Sequence, residues 1–295
     1  MPAGHPNGVR TLGPNDLIAS YYTLARADRH GRARIAFPER VRAAAAAGFA
    51  GIGVQPHDHA RSVAEGLSEA AMSDLLGEAE LVLAEMDGVP WFPADGQSDA
   101  DLETSQREVI EAAARLGARH LIAPMPTLTE SPAPGELARR LATLGRRAGD
   151  HGLLVGFEFL PWTTITSLSE AHTLVQAADR PELGLTVDFW HLVAGNGGPA
   201  ELAQLPGTDI VAVHLTDGHR DPTLDPLTET MVGRRLPGDG EFDMVGLVRA
   251  LDATGSTAPF SVETVSLAHR ELSVDDLAIE IQRRVHTVLT DARSI

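Results

Sequence analysis

Four short apolar runs in the second half of the chain each end on one ligand-type side chain. They read LLVGFE, LGLTVD, IVAVH and PFSVE, and their last residues are Glu158, Asp188, His214 and Glu263. Unbroken apolar runs of this length suit strands covered on both faces, as in parallel sheets. Between and before them the pattern alternates. Strand candidates are DLIASYYTL (Asp16–Leu24), GIGVQ (Gly51–Gln55), the proline-bearing VPWFPAD (Val89–Asp95) and HLIAPMP (His120–Pro126). Helical stretches are Pro38–Phe49, with Pro38 at its start and Gly48 closing it, Ser68–Met86, Ser98–Leu116 and Pro134–Asp150. The second half continues with helices over Ser167–Ala178, near Pro199–Leu205, over Asp243–Thr254 and over Ser273–Leu289, and a long loop over Asp217–Phe242. Residues 1–14 read as an irregular arm and Arg26–Arg34 as a charged loop.

Eight strand–helix units of about 30 residues each match the size of βα units. Strict alternation predicts an α/β fold, a closed (β/α)8 barrel in one domain over residues 1–295, rather than an open doubly wound sheet. A glycine-rich dinucleotide fingerprint after the first strand is missing. In such barrels the active site lies at the C-terminal strand ends. The four ligand-type residues stand there on successive strands. One buried carboxylate alone is well explained by pairing with a loop arginine. Four such groups together cost heavily unless a cation compensates them. Three carboxylates and one imidazole suit a hard or borderline divalent metal, Mn²⁺ or Mg²⁺ best, with Co²⁺, Zn²⁺ or Fe²⁺ also compatible.

Composition narrows the chemistry further. Cysteine is absent, which removes disulfides, zinc–thiolate sites and thiol nucleophiles. All 24 basic residues are arginines, which removes Schiff-base catalysis and a P-loop lysine. A net charge of −17 opposes nucleic-acid binding. No apolar run is long enough to span a bilayer, so a cytoplasmic protein without membrane association is expected.

The motifs VGFEF, LTVDFWH, VAVHLTDGHR, LPGDGEFDMVGLVRAL and FSVET, taken together, resemble the xylose isomerase-like TIM barrel superfamily. That superfamily includes sugar and polyol isomerases, ketose 3-epimerases, inosose and related dehydratases, and apurinic endonucleases. The resemblance covers nearly the whole chain. It implies a single-metal site of Glu158, Asp188, His214 and Glu263, with Glu158 and Glu263 doubling as the acid/base pair. It also implies a substrate-side histidine at His191, which could equally support a ligand carboxylate, and a substrate-contacting arginine at Arg220, which could equally be a surface residue. The chemistry implied is isomerisation or epimerisation of a sugar-like or cyclitol carbonyl compound through an enediolate. The alternatives are a lyase (a dehydratase or C-glycoside-cleaving enzyme) on the same barrel and, remotely, a non-catalytic sugar-binding barrel.

Departures matter too. Arg234 and Arg235 stand where the endonucleases carry an Asp-x-His pair, and Thr164 stands where ketose epimerases carry a second glutamate. Trp91, Trp162 and Trp190 fall near strand ends with Met125, Phe159 and Leu160, which suggests a face for a ring. The substrate contacts expected on this basis are His191, Arg220, His57, Trp162, Trp190 and Arg235, with His59 and His219 nearby. The partner expected is a small molecule such as a sugar, cyclitol or modified polyol, and the resemblance adds self-association as a further expectation.

Overall fold

The computed structural model describes residues 11–27, 31–130, 132–133, 135–266, 269 and 271–294. Residues 1–10 of the expected arm, 28–30 of the expected charged loop and Pro134 of the fourth expected helix lie outside the described residues.

The apolar runs become eight parallel strands: β1 Leu17–Ala19, β2 Gly51–Val54, β3 Val82–Asp87, β4 His120–Pro124, β5 Leu154–Glu158, β6 Leu183–Asp188, β7 Ile210–Leu215 and β8 Phe260–Val262. Each pairs with the next, and β1 pairs with both β2 and β8, so the sheet closes into a barrel. Nearly every strand residue is buried, as strands lined inside by side chains and covered outside by helices must be. The result is a single (β/α)8 TIM barrel domain.

In the first half the helices are α1 Tyr21–Ala25, α2 Phe37–Ala47, α3 Pro56–Ala64, α4 Glu69–Glu78, α5 Asp99–Arg115 and α6 Glu136–Gly149. In the second half they are α7 Leu168–Ala178, α8 Phe189–Ala194, α9 Pro199–Leu202, α10 Pro226–Val232, α11 Met244–Ala253 and α12 Val274–Arg293. Their starts follow the sequence signals. Ser167 and Glu170 form a reciprocal capping box on α7, and Ser68, Ser98 and Ser273 cap α4, α5 and α12 through their side chains. Gly48 ends α2 at φ 86°, a left-handed conformation that suits glycine. No helix among the described residues is long and apolar enough to cross a membrane.

Four expectations are corrected. The first strand is only three residues, and the chain turns into α1 at Tyr21. The helix expected over Ser68–Met86 stops at Glu78; Glu80 adopts φ 54°, and the apolar run that follows is β3. The helical period had absorbed a buried strand, because a short apolar run fits either pattern. No strand forms over Val89–Asp95, where Pro90 and Pro93 offer no N–H to a ladder. The segment from Asp217 to Phe242 is not all loop: it carries α10 and a bridge between Asp217 and Arg235.

Candidate metal centre and catalytic pocket

Strand register assembles the quartet. Asp188 and His214 are paired neighbours on β6 and β7, Glu158 ends β5, and Glu263 follows the last residue of β8. All four are buried. One ligand atom from each lies within 4.8 Å of all the others. The Nδ1 of His214 faces Glu158 Oε1 at 3.4 Å, Glu263 Oε2 at 3.6 Å and Asp188 Oδ2 at 3.8 Å. Glu158 Oε1 and His214 Nδ1 have no hydrogen-bond partner among the described residues.

Asp188 is held by its own backbone context. Its Oδ1 accepts the backbone N–H groups of Trp190 (2.6 Å) and His191 (3.1 Å), capping α8, which leaves Oδ2 aimed at the centre. The cap also fixes where His191 starts from. Its Nε2 stands 3.9 Å from Asp188 Oδ2 and 4.0 Å from Glu158 Oε1.

Arg234 enters the same centre. Its Nη1 donates to Asp188 Oδ2 at 2.8 Å and to Glu263 Oε2 at 2.9 Å, its Nη2 reaches His191 Nε2 at 3.2 Å, and its Nε donates to Thr230 Oγ1. The guanidinium also lies over the Trp190 ring, 5.5 Å from its centroid. Since a guanidinium only donates, His191 Nε2 accepts. Asp217 holds the segment that delivers this arginine. The buried Asp217 carboxylate accepts backbone N–H groups from Gly218 (2.8 Å), Gly238 (3.0 Å), Gly240 (3.0 Å) and Phe242 (3.1 Å). A side chain at Gly240 would overlap Asp217 Oδ1, which accounts for the second glycine of the Pro-Gly-Asp-Gly turn. Leaving such buried groups unpaired would cost roughly 1–3 kcal/mol each.

Charge in the centre is uneven. Burial pushes Glu158 up to about 7, opposed by His214 and reinforced by Glu263. Burial also works against the charged form of Glu263, but His214 and then Arg234 outweigh it and hold that carboxylate below its ordinary range. Asp188 behaves likewise: burial is outweighed by Arg234, then His191. Burial lowers His191 to about 4, so it is neutral. His214 is raised well above the ordinary imidazole range; burial lowers it, and Glu263 with the other carboxylates more than reverses that. Arg234 therefore supplies the arginine pairing foreseen for a lone carboxylate, but to two of three. With His214 deprotonated, as a ligand must be, three carboxylates against one guanidinium leave an excess of two negative charges, which one divalent cation would neutralise. The donor set and the two unpartnered atoms fit such an ion.

A cavity of about 260 Å³ opens over the centre. Glu158, Glu263, His191, Arg234 and Trp162 line one part of it. Tyr22, Gln55 and Asp87, from the first half of the barrel, line another. Gln55 Nε2 donates to the Tyr22 hydroxyl at 2.6 Å and to Asp87 Oδ2 at 3.1 Å. Burial, then the charges of Glu263 and Glu158, raises Asp87 well above the carboxylate range.

Of the expected contacts, His191 and Trp162 reach this cavity, and Trp162 stands edge-on to His191 at 5.4 Å. Trp190 is buried behind them against Arg234 and does not line it. Arg220 is exposed and tied to Glu241 through its backbone N–H and its Nε. Arg235 faces His219 instead, at 3.2 Å. His57 and His59 lie on α3, where His57 is within 2.7 Å of the Gly31 carbonyl and His59 pairs with Glu69. Thr164 is exposed, and Trp91 is buried, donating to the Pro124 carbonyl. Asp87, Gln55 and Tyr22 were not foreseen. The signal for Asp87 was in plain sight: LVLAEMD is one more apolar run ending on an acid.

The profile of the family described as "Xylose isomerase-like TIM barrel" matches residues 41–280. The chain belongs to this family. Within 126 residues it is 36% identical to a 3-dehydroshikimate dehydratase of Pseudomonas putida, a match covering 42% of this chain and 19% of that protein. The chain thus spans about a fifth of the length of that relative. It is 25% identical over 189 residues to an inosose isomerase of Bacillus subtilis, covering 62% of this chain and 66% of that one. In fold it is similar to an IolI protein solved with a bound zinc atom, with a TM-score of 0.83, 18% identity, and 95% and 100% of the two chains covered.

Proposed function

We propose that the chain is a divalent-metal-dependent enzyme. It removes a proton from the carbon beside the carbonyl of a cyclic, polyhydroxylated small molecule and then expels water. The inequality of the carboxylates carries this reading. Glu158 lines the cavity with an oxygen that has no hydrogen-bond partner among the described residues, as a group that takes a proton from the substrate should. Glu263 is clamped by Arg234 and held ionised, which suits a ligand better than an acid. Asp87, on the cavity wall and raised above the carboxylate range by burial and by Glu263 and Glu158, supplies an acid from another direction.

The chain's own groups then divide the work. Glu158, Asp188, His214 and Glu263 would hold the ion, which supplies Lewis-acid stabilisation of negative charge on the substrate oxygen. Glu158 takes the proton as the C–H bond breaks. The electron pair forms a C=C bond and expels a hydroxyl from the next carbon, and the Asp87 proton completes the water molecule. Arg234 and the neutral His191 orient the oxygens of the substrate, and Trp162 offers a ring face.

Isomerisation or epimerisation is the second reading. It is supported by the inosose isomerases, whose similarity extends along more of the chain. There Glu263 would return the proton and no water would leave. The full chain, incubated with Mn²⁺ and either 3-dehydroshikimate or inosose in deuterated water, separates the two by mass spectrometry. A product lighter by one water is the expected result. Deuterium on carbon without loss of water would establish the second reading instead, and no change in either compound would overturn both for these substrates.

A further inference from the structure

Beneath the metal centre lies a second layer of buried polar groups with no part in the chemistry so far. Glu85 on β3 is fully buried inside the barrel. It stands in register with Gly53 on β2 and His120 on β4. Across the interior, His214 is in register with Ser261 on β8. Room for the Glu85 side chain comes from Gly53, where a methyl group would stand 2.5 Å from Glu85 Oε1. Ser261 Oγ donates to that same oxygen at 3.1 Å.

The other oxygen, Glu85 Oε2, lies between two imidazoles. It is 3.7 Å from His120 Nε2 and 3.7 Å from His214 Nε2, a few tenths of an ångström beyond a hydrogen bond. All three atoms lack a hydrogen-bond partner among the described residues. The tautomer of His120 follows from its far side. Arg119 Nη1 stands 3.2 Å from His120 Nδ1, and an arginine can only donate, so Nδ1 accepts and the ring proton sits on Nε2, facing Glu85. Burial keeps His120 neutral. On the other side, His214 turns Nδ1 to the three carboxylates and Nε2 to Glu85.

We propose that Glu85 is a positioning residue for the metal centre: its carboxylate, anchored by Ser261, faces Nε2 of His214 and so orients His214 Nδ1 toward the ion, with His120 on its other side. The inference rests on the metal reading above and adds a residue to it. A ligating histidine whose other N–H meets a carboxylate is fixed in ring orientation and made a better donor. The arrangement also explains why a carboxylate is kept inside the barrel, away from the lining of the cavity.

Zn²⁺ affinity of the full chain, measured by competition with a chelating dye, tests it without any substrate. Glu85→Gln keeps the shape and removes the charge. It is expected to weaken Zn²⁺ binding roughly 10–100-fold. The visible absorption bands of the Co²⁺-loaded variant should shift as the imidazole turns, and the metal-free melting temperature should stay close to wild type. Unchanged affinity and an unchanged Co²⁺ spectrum overturn the proposal, as does a fall in melting temperature with affinity intact. Should Glu85→Gln fail to fold, Ser261→Ala removes the anchor on Oε1 and is expected to weaken Zn²⁺ binding about threefold, below the full effect; equal binding then overturns it. Wild-type protein that binds no Zn²⁺ sinks the metal reading itself, an outcome distinct from a wild type that binds and a variant that binds equally well.

Discussion

The two halves of the barrel mouth are built from different chemistry. From β5 to β8 each strand end hands over a charged or chargeable ligand, and Arg234 is drawn in among them. From β1 to β3 the cavity is lined by a phenol, an amide and a carboxyl whose charged form is disfavoured by burial. The second half can hold a cation because its negative charges are concentrated and only partly paired. The first half faces the same centre without adding to that charge, since an ionised Asp87 would stand against Glu158 and Glu263. A site that must both bind a metal and grip hydroxyl groups gains from keeping the two jobs on separate strands.

Removing charge from the second half should have the largest effect. In Asp188→Asn the amide oxygen can still cap α8, but the carboxylate shared with Arg234 is gone. Zn²⁺ affinity should fall by at least about 100-fold, since losing a ligand exceeds losing an outer partner. Chelator competition measures it. Affinity retained in this variant would mean that the ion, if bound, is not held by the second half.

The next effect concerns stability. Arg234→Met leaves Asp188 and Glu263 buried without their cation, and breaking a buried pair costs roughly 3–5 kcal/mol. Urea unfolding of the metal-free variant should show that loss. Added Mn²⁺ should restore more stability to the variant than it adds to wild type, because the ion replaces the missing positive charge. Equal gains in both proteins would separate the arginine from the metal and break the view that they compensate the same oxygens.

Much of this contrast was legible in the sequence, and unequally so. The second half declared itself because its strands read as separate apolar runs, each closing on a ligand-type residue, so fold and quartet followed together. The first half hid its contribution. β1 is three residues and merges into α1, while β3 follows α4 after only three residues and shares its apolar spacing. Asp87 was therefore assigned just past a helix end. Arg234 and Arg235 were read as a pair, but nothing in a linear pattern says which of two adjacent arginines turns inward. That choice is made by Asp217, whose carboxylate gathers the Pro-Gly-Asp-Gly turn, and by the bridge it forms with Arg235. His57 looked like a strand-end residue because it follows GIGVQ directly; Pro56 instead starts α3, and the helix carries His57 to the Gly31 carbonyl.

The smallest expected effect is also the one that tests the first half alone. Asp87→Asn preserves size, and the new amide can still donate a hydrogen bond, but it has no proton to give. Because burial and the neighbouring carboxylates already disfavour a charge on Asp87, the substitution should leave Zn²⁺ affinity and urea stability near wild type. Kinetics then decide what the wall does. Transfer of a proton by Asp87 to the leaving hydroxyl predicts a fall in kcat of about 100-fold, the low end of general-acid contributions, with KM little changed. A wall that only grips hydroxyl groups predicts the reverse: a kcat within a fewfold of wild type and a raised KM. The second result would keep the division between the two halves and move the acid to the second half, where Glu158, carrying the proton taken from the substrate, lines the same cavity.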